Sequence, residues 1–111
     1  MKRGEGWTLQ DDNYASKPRP VVVVQADLDV FESVIVCLLT SFDRHGVMTR
    51  VVVEPSSENG LRMNSYVMTD KLLTVRRGQL RVRAGELGEE VMHLVSRSLV
   101  LMLGIANEDV L

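Results

Sequence analysis

Lys17-Pro18-Arg19-Pro20-Val21-Val22-Val23-Val24-Gln25 is the stretch on which the reading of this chain turns. Four consecutive β-branched residues are stiff at χ1 and favour a strand over a helix. The two prolines force extended or turn backbone and deny the segment a helix. Val21–Gln25 is therefore read as a strand buried on both sides, with a cation fixed at its mouth. Arg19, held between prolines, loses little backbone entropy when it engages an anion. Locally, a charged lead-in to a core strand fits the same residues, and only the rest of the chain separates the two readings.

Working outward, Trp7-Thr8-Leu9 reads as a short first strand and Gln10 to Lys17, with Asp11-Asp12-Asn13, as a polar loop. Leu28 to Ser33 has room for a helical turn. Val34–Leu39 is a second continuous apolar strand, closed by Thr40-Ser41, and Phe42-Asp43-Arg44-His45-Gly46 is a polar loop. Val47–Glu54 reads as a strand, Pro55–Gly60 as a strong turn, and Ser65–Thr69 and Leu80–Val82 as two more strands. From Glu89 the pattern changes. Val91, Met92, Val95, Leu99, Met102 and Leu103 recur at helical spacing, acidic residues open the run and Gly104 closes it. Five to seven short strands followed by one amphipathic helix predict a mainly β, α+β fold built on a small coiled antiparallel sheet or barrel.

The 111 residues fit a single domain, 1–111, with one modest core. With 45% hydrophobic and 25% charged residues the composition is that of an ordinary globular chain. No apolar run approaches a membrane span, and Met1-Lys2-Arg3-Gly4-Glu5 opens no signal peptide. Cys37 has no internal partner and lies in an apolar strand, so it reads as a core residue of a cytoplasmic protein. The net charge of −2 gives no global signal for nucleic acid, yet Lys71, Arg76, Arg77, Arg81 and Arg83 form a basic band without an acidic residue. Such a band fits phosphate binding and equally the solvated face of a strand.

No metal site is expected, because His45 and His93 are far apart and no spacing suits zinc or calcium. Phosphate-cradling glycine loops and a nucleophile elbow are absent too. What remains is a set of polar groups at strand ends: Arg19, Thr40, Ser41 and Asp70. An arginine and hydroxyls sharing a cleft suit a phosphodiester, because guanidinium binds phosphate oxygens bidentately. For Thr40-Ser41 a strand-ending turn is the competing explanation.

The order of the motifs resembles the MazF/PemK/Kid toxins. It consists of Arg3-Gly4-Glu5-x-Trp7, then Arg19-Pro20-Val21-Val22-Val23-Val24-Gln25, then a buried strand ending in Thr40-Ser41. Gly60-Leu61 before Ser65-Tyr66-Val67, Thr69-Asp70-Lys71 before Leu73-Thr74-Val75, and the closing Leu103-Gly104-Ile105 extend the likeness over about residues 2–105. The resemblance implies an SH3-like antiparallel β-barrel with a C-terminal helix, working as a homodimer and held inactive by a cognate antitoxin. It implies a metal-independent endoribonuclease without cofactor that cuts single-stranded RNA, leaving a 2′,3′-cyclic phosphate and a 5′-hydroxyl. Arg19, Thr40 and Asp70 would be the catalytic residues. Ser41, Tyr14, Phe42, Arg44, Lys71, Arg76 and Arg77 would bind RNA. The base is left between Asp70 and His45. Departures are Met68, where Kid-type members carry an arginine two residues before the groove aspartate, and Leu73 in place of the arginine of an Arg-Thr pair. The loop Gln10–Lys17 is also shorter than usual. A gyrase poison of the CcdB kind would need a Trp-Gly-Ile tail, which this chain lacks; a non-catalytic RNA-binding relative is the other alternative.

Overall fold

The computed structural model describes residues 1–11, 15–28, 30–42 and 47–106, with backbone alone at 11, 15 and 16. Six strands precede one helix: β1 (Glu5–Asp11), β2 (Ala15–Val23), β3 (Ser33–Thr40), β4 (Arg50–Val53), β5 (Ser65–Arg76), β6 (Leu80–Glu86) and α1 (Glu89–Met102). They form one antiparallel sheet in the order β4-β5-β3-β2-β1-β6. Its end strands, β4 and β6, do not pair with each other, so the sheet is coiled and barrel-like but open.

Each face of the sheet carries its own core, because side chains alternate along a strand. On one face Val22, Cys37, Leu39, Val51, Val53 and Val67 pack under Met92 and Val95 of α1. On the other, Leu9, Val21, Val23, Val36, Leu38, Met68 and Leu80 fill the concavity of the coiled sheet. The four valines supply both cores, which is why their run is unbroken.

Several boundaries differ from the sequence reading. Most of the expected loop Gln10–Lys17 is strand, since β1 runs to Asp11 and β2 starts at Ala15. Pro18 and Pro20 thus lie inside β2. They are tolerated because the ladder with β3 covers only Val21–Val23, so in the proline section β2 has a neighbour on one side only. Between β2 and β3 the described residues form bends and a turn, with no helical turn. β4 is only four residues long. β5 continues from Thr69 through the basic band to Arg76 by means of an extended bulge, in which Cys37 pairs with Leu72 but Leu38 with Met68.

The Arg3-Gly4-Glu5-x-Trp7 motif has a framework role. Arg3 donates to the Val24 carbonyl at 3.0 Å and to Ser96 Oγ on α1 at 2.6 Å, tying the N-terminus to the helix. Buried Glu5 accepts from the Lys2 N–H, Trp7 Nε1 and Arg83 Nε. The turn between β4 and β5 is closed by Asn59, whose Oδ1 accepts from the N–H groups of Ser56 and Leu61. Gly60 follows at φ +67°, and a Cβ there would stand 2.3 Å from the Ala84 carbonyl oxygen. Gly104, at φ +71°, follows α1 as its stop signal.

Candidate active site

Register brings the strand-end polar groups together. Val21 and Leu38 form the last pair of the β2–β3 ladder, and Arg19 and Thr40 each lie two residues beyond it, on the same side of the sheet. Thr40 in turn pairs with Tyr66 on β5, and Tyr66 with Val52 on β4. Paired residues point to the same side of an antiparallel sheet. Thr40, Tyr66 and Val52 therefore form one row across three strands, with Arg19 on the same side of the sheet just past the end of the β2–β3 ladder, beside the core of Val21, Leu38 and Met68.

On this side of the sheet the polar groups are poised differently. Arg19 is half-buried and has no ion-pair partner among the described residues. Thr40 Oγ1 accepts a hydrogen bond of 3.1 Å from the Phe42 N–H, so its hydroxyl is oriented and its own proton is left to donate elsewhere. That bond is the strand-ending turn foreseen as the alternative for Thr40-Ser41. The turn and a phosphate-facing hydroxyl are compatible. Ser41 is exposed and Phe42, at 66% exposure, stands next to it.

Asp70 lies elsewhere. It sits in the β5 bulge, four residues from Tyr66, about 13 Å of strand. Its carboxylate forms an ion pair with Arg50, whose side chain is only 11% exposed. Arg50 is the residue that the sequence reading missed. Its backbone pairs with Met68, so the guanidinium reaches Asp70 from the adjacent strand instead of from position 68 on the same strand. Arg50 Nη1 also donates to Thr49 Oγ1 at 3.0 Å. The Thr49 carbonyl accepts from the Thr69 N–H, at 2.9 Å, and Thr69 Oγ1 bonds Ser98 Oγ of α1 at 2.7 Å. Ser98 donates to the Met48 carbonyl as well. A continuous polar chain thus joins Asp70 to the helix. The one signal for Arg50 was its charge at the head of an otherwise apolar strand; its partner depends on a register that spacing alone does not reveal.

The remaining candidates are dispersed. Lys71 is exposed in the same bulge. Arg76 pairs with Ser33, at the end of β5 opposite to Tyr66, and Arg77 beyond it donates to the carbonyls of Phe31 and Leu28. Tyr14, Arg44 and His45 lie outside the described residues. Burial, with the field of Asp70 adding to it, pushes the Cys37 thiol up to about 12, which leaves it inert at neutral pH. Among the described residues no three His, Cys, Asp or Glu side chains gather as a metal site would require.

Known proteins share this fold. The family model of the PemK-like, MazF-like toxins of type II toxin–antitoxin systems matches residues 2–103. The chain belongs to this family. A probable endoribonuclease MazF of Mycolicibacterium smegmatis is 39% identical over 109 residues, spanning 96% of this chain and 100% of the relative. Among solved structures, a mycobacterial endoribonuclease in complex with its cognate antitoxin superposes with a TM-score of 0.83 at 22% identity, covering 96% of this chain and 98% of the other. The Mycobacterium tuberculosis toxin MazF-mt6 gives 0.76 at 24% identity over 90% and 96%. MazF from the MazE–MazF complex of Deinococcus radiodurans gives 0.77 at 20% identity over 96% and 97%. These structures share the fold of this family member, including its coiled sheet and closing helix.

Proposed function

We propose that this chain is a toxin that cuts single-stranded RNA at the rim formed by Arg19 and Thr40, as an endoribonuclease without metal or cofactor. The observation that carries this reading is that a cation and an oriented hydroxyl lie on one side of the sheet, each two residues beyond the last β2–β3 pair. The RNA 2′-hydroxyl gives up its proton as its oxygen attacks the neighbouring phosphorus, the bond to the 5′-oxygen breaks and that oxygen takes up a proton, so that a 2′,3′-cyclic phosphate and a 5′-hydroxyl result. Negative charge builds on the phosphate oxygens in this step. Arg19 and the Thr40 hydroxyl are placed to stabilise it, acting as fixed donors that need no reorganisation. A guanidinium is a donor without an acceptor, so the contribution of Arg19 is electrostatic.

Asp70, Ser41, Phe42 and Lys71 belong to the proposed RNA groove, with Asp70 further along it and held by Arg50. Two neighbours were solved with antitoxins, one described as a cognate antitoxin and one as MazE, and an antitoxin partner is proposed here on that likeness. A homodimer is proposed with it, and Met48 and Leu94, both exposed beside the head of β4 and α1, are apolar surface for a second copy to cover. No helix among the described residues is long and apolar enough to cross a membrane, which agrees with a cytoplasmic site of action on RNA.

The test is cleavage of RNA by the purified protein in EDTA, with the product ends mapped, wild type beside Arg19→Ala. Cyclic-phosphate ends that vanish in the variant are the expected result. Equal cutting by Arg19→Ala would remove this site.

A further inference from the structure

Resting on the reading of the rim as an RNA-cutting site, we propose that Tyr66 is the residue that holds the nucleobase beside the scissile phosphate. It thereby sets part of the base preference. Tyr66 is the direct cross-strand neighbour of Thr40. Its sequence neighbours, Ser65 and Val67, are buried toward the helix-covered face, so the tyrosine ring lies on the opposite side, in the row of Thr40 and on the same side of the sheet as Arg19. Paired side chains on antiparallel strands stand about 4.5–5.5 Å apart at Cβ. A phosphate held by Thr40 thus leaves its own or the adjoining base over the tyrosine ring.

The other aromatics are less suited. Trp7 packs against the concave core and gives its indole N–H to Glu5. Phe31 belongs to the β2–β3 connection, at the other end of β3. Phe42 flanks Thr40 but lies beyond the strand, whereas Tyr66 is fixed by ladders on both sides, to β3 and to β4. A half-buried ring on a rigid strand keeps one edge anchored and gives little conformational entropy away on binding. On the far side of the ring, Val52 is 49% exposed and extends the apolar surface on which a base can rest. Stacking supplies affinity for any base, and the phenol hydroxyl adds hydrogen bonding that distinguishes base edges.

The experiment compares wild type, Tyr66→Leu and Tyr66→Phe. The readouts are thermal unfolding, affinity for an oligonucleotide made uncleavable by a deoxyribose at the scissile position, and the base distribution at cleavage sites in a random RNA pool. Leucine keeps apolar volume without a stacking face. Tyr66→Leu is expected to bind roughly 5- to 150-fold more weakly, the range for loss of one base–aromatic stack, to raise KM more than it lowers kcat, and to flatten base preference at one position. Tyr66→Phe is expected to keep the affinity and lose preference alone. Wild-type affinity and an unchanged base distribution in folded Tyr66→Leu would overturn the assignment. Should the wild type cut no RNA, the cleavage reading falls, and the affinity comparison still decides whether Tyr66 contacts a base.

Discussion

Two arginines in this fold have opposite surroundings. Arg19 stands at the rim with no ion-pair partner among the described residues, on backbone stiffened by Pro18 and Pro20. Arg50, with a side chain only 11% exposed, is committed to Asp70 and to Thr49, and through Thr69 and Ser98 to the helix. A cation bound to an internal carboxylate contributes to the framework, whereas one held in place without an ion-pair partner is available to an external anion. Function and stability should therefore separate between the two.

The largest expected effect is on Arg19. Removing a preorganised donor to developing charge costs about 10²–10³ in rate, so Arg19→Ala should lose that much cleavage while its thermal midpoint stays within about 2 °C. Thr40→Val is expected to follow with a smaller loss, roughly 10- to 100-fold, because one of two charge-stabilising groups remains. Both are read by single-turnover cleavage beside thermal unfolding. A large drop in midpoint for either would place it in the framework and dissolve the contrast.

Arg50→Leu should behave in the reverse manner. It leaves the Asp70 carboxylate without its partner and Thr49 Oγ1 without the Arg50 donor, at a cost of about 1–3 kcal/mol, which lowers the midpoint by several degrees. Asp70→Asn sharpens the comparison. If Asp70 is framework, the double variant Arg50→Leu with Asp70→Asn is less destabilised than the single effects predict, because the two residues share one interaction. If Asp70 instead takes the proton from the 2′-hydroxyl, Asp70→Asn lowers the single-turnover cleavage rate with little change in midpoint.

The elements that the sequence reading located best are those whose signal is local. The four valines, the apolar run to Leu39, the Pro55–Gly60 turn and the helix from Glu89 each carry their own periodicity or turn chemistry. Boundaries that depend on a neighbour were not legible. Nothing in Lys17-Pro18-Arg19-Pro20 announces that β2 starts at Ala15, because prolines enter a strand only where one side goes unpaired. The candidate site divides in the same way. Arg19 and Thr40 stood out as polar residues ending apolar strands. Arg50 and Tyr66 did not, since their importance arises from partners on β5 and β3 that the bulge at Thr69–Lys71 helps to set.

The smallest predicted effect lies in the N-terminal clasp and concerns acid stability. Burial alone raises the Glu5 carboxyl, but hydrogen bonds from the Lys2 N–H, Arg83 and Trp7 outweigh it and hold the group below the usual glutamate range. Unfolded glutamate titrates near 4.3. A carboxylate depressed in the folded state contributes stability that is complete above that value and is lost as pH falls through the folded pKa. Glu5→Gln keeps an amide oxygen for one donor but gives up the ion pair to Arg83, so it should be less stable than wild type at pH 7, by roughly 0.3–0.5 M in urea midpoint. As pH falls through the folded pKa the wild-type carboxyl protonates and the two midpoints should converge. Other carboxylates titrate equally in both proteins and cancel in the difference. A gap that stays constant from pH 7 to pH 3 would mean that Glu5 acts through shape alone, and the charge at the third position of Arg3-Gly4-Glu5 would then have no part in holding the N-terminus to β6.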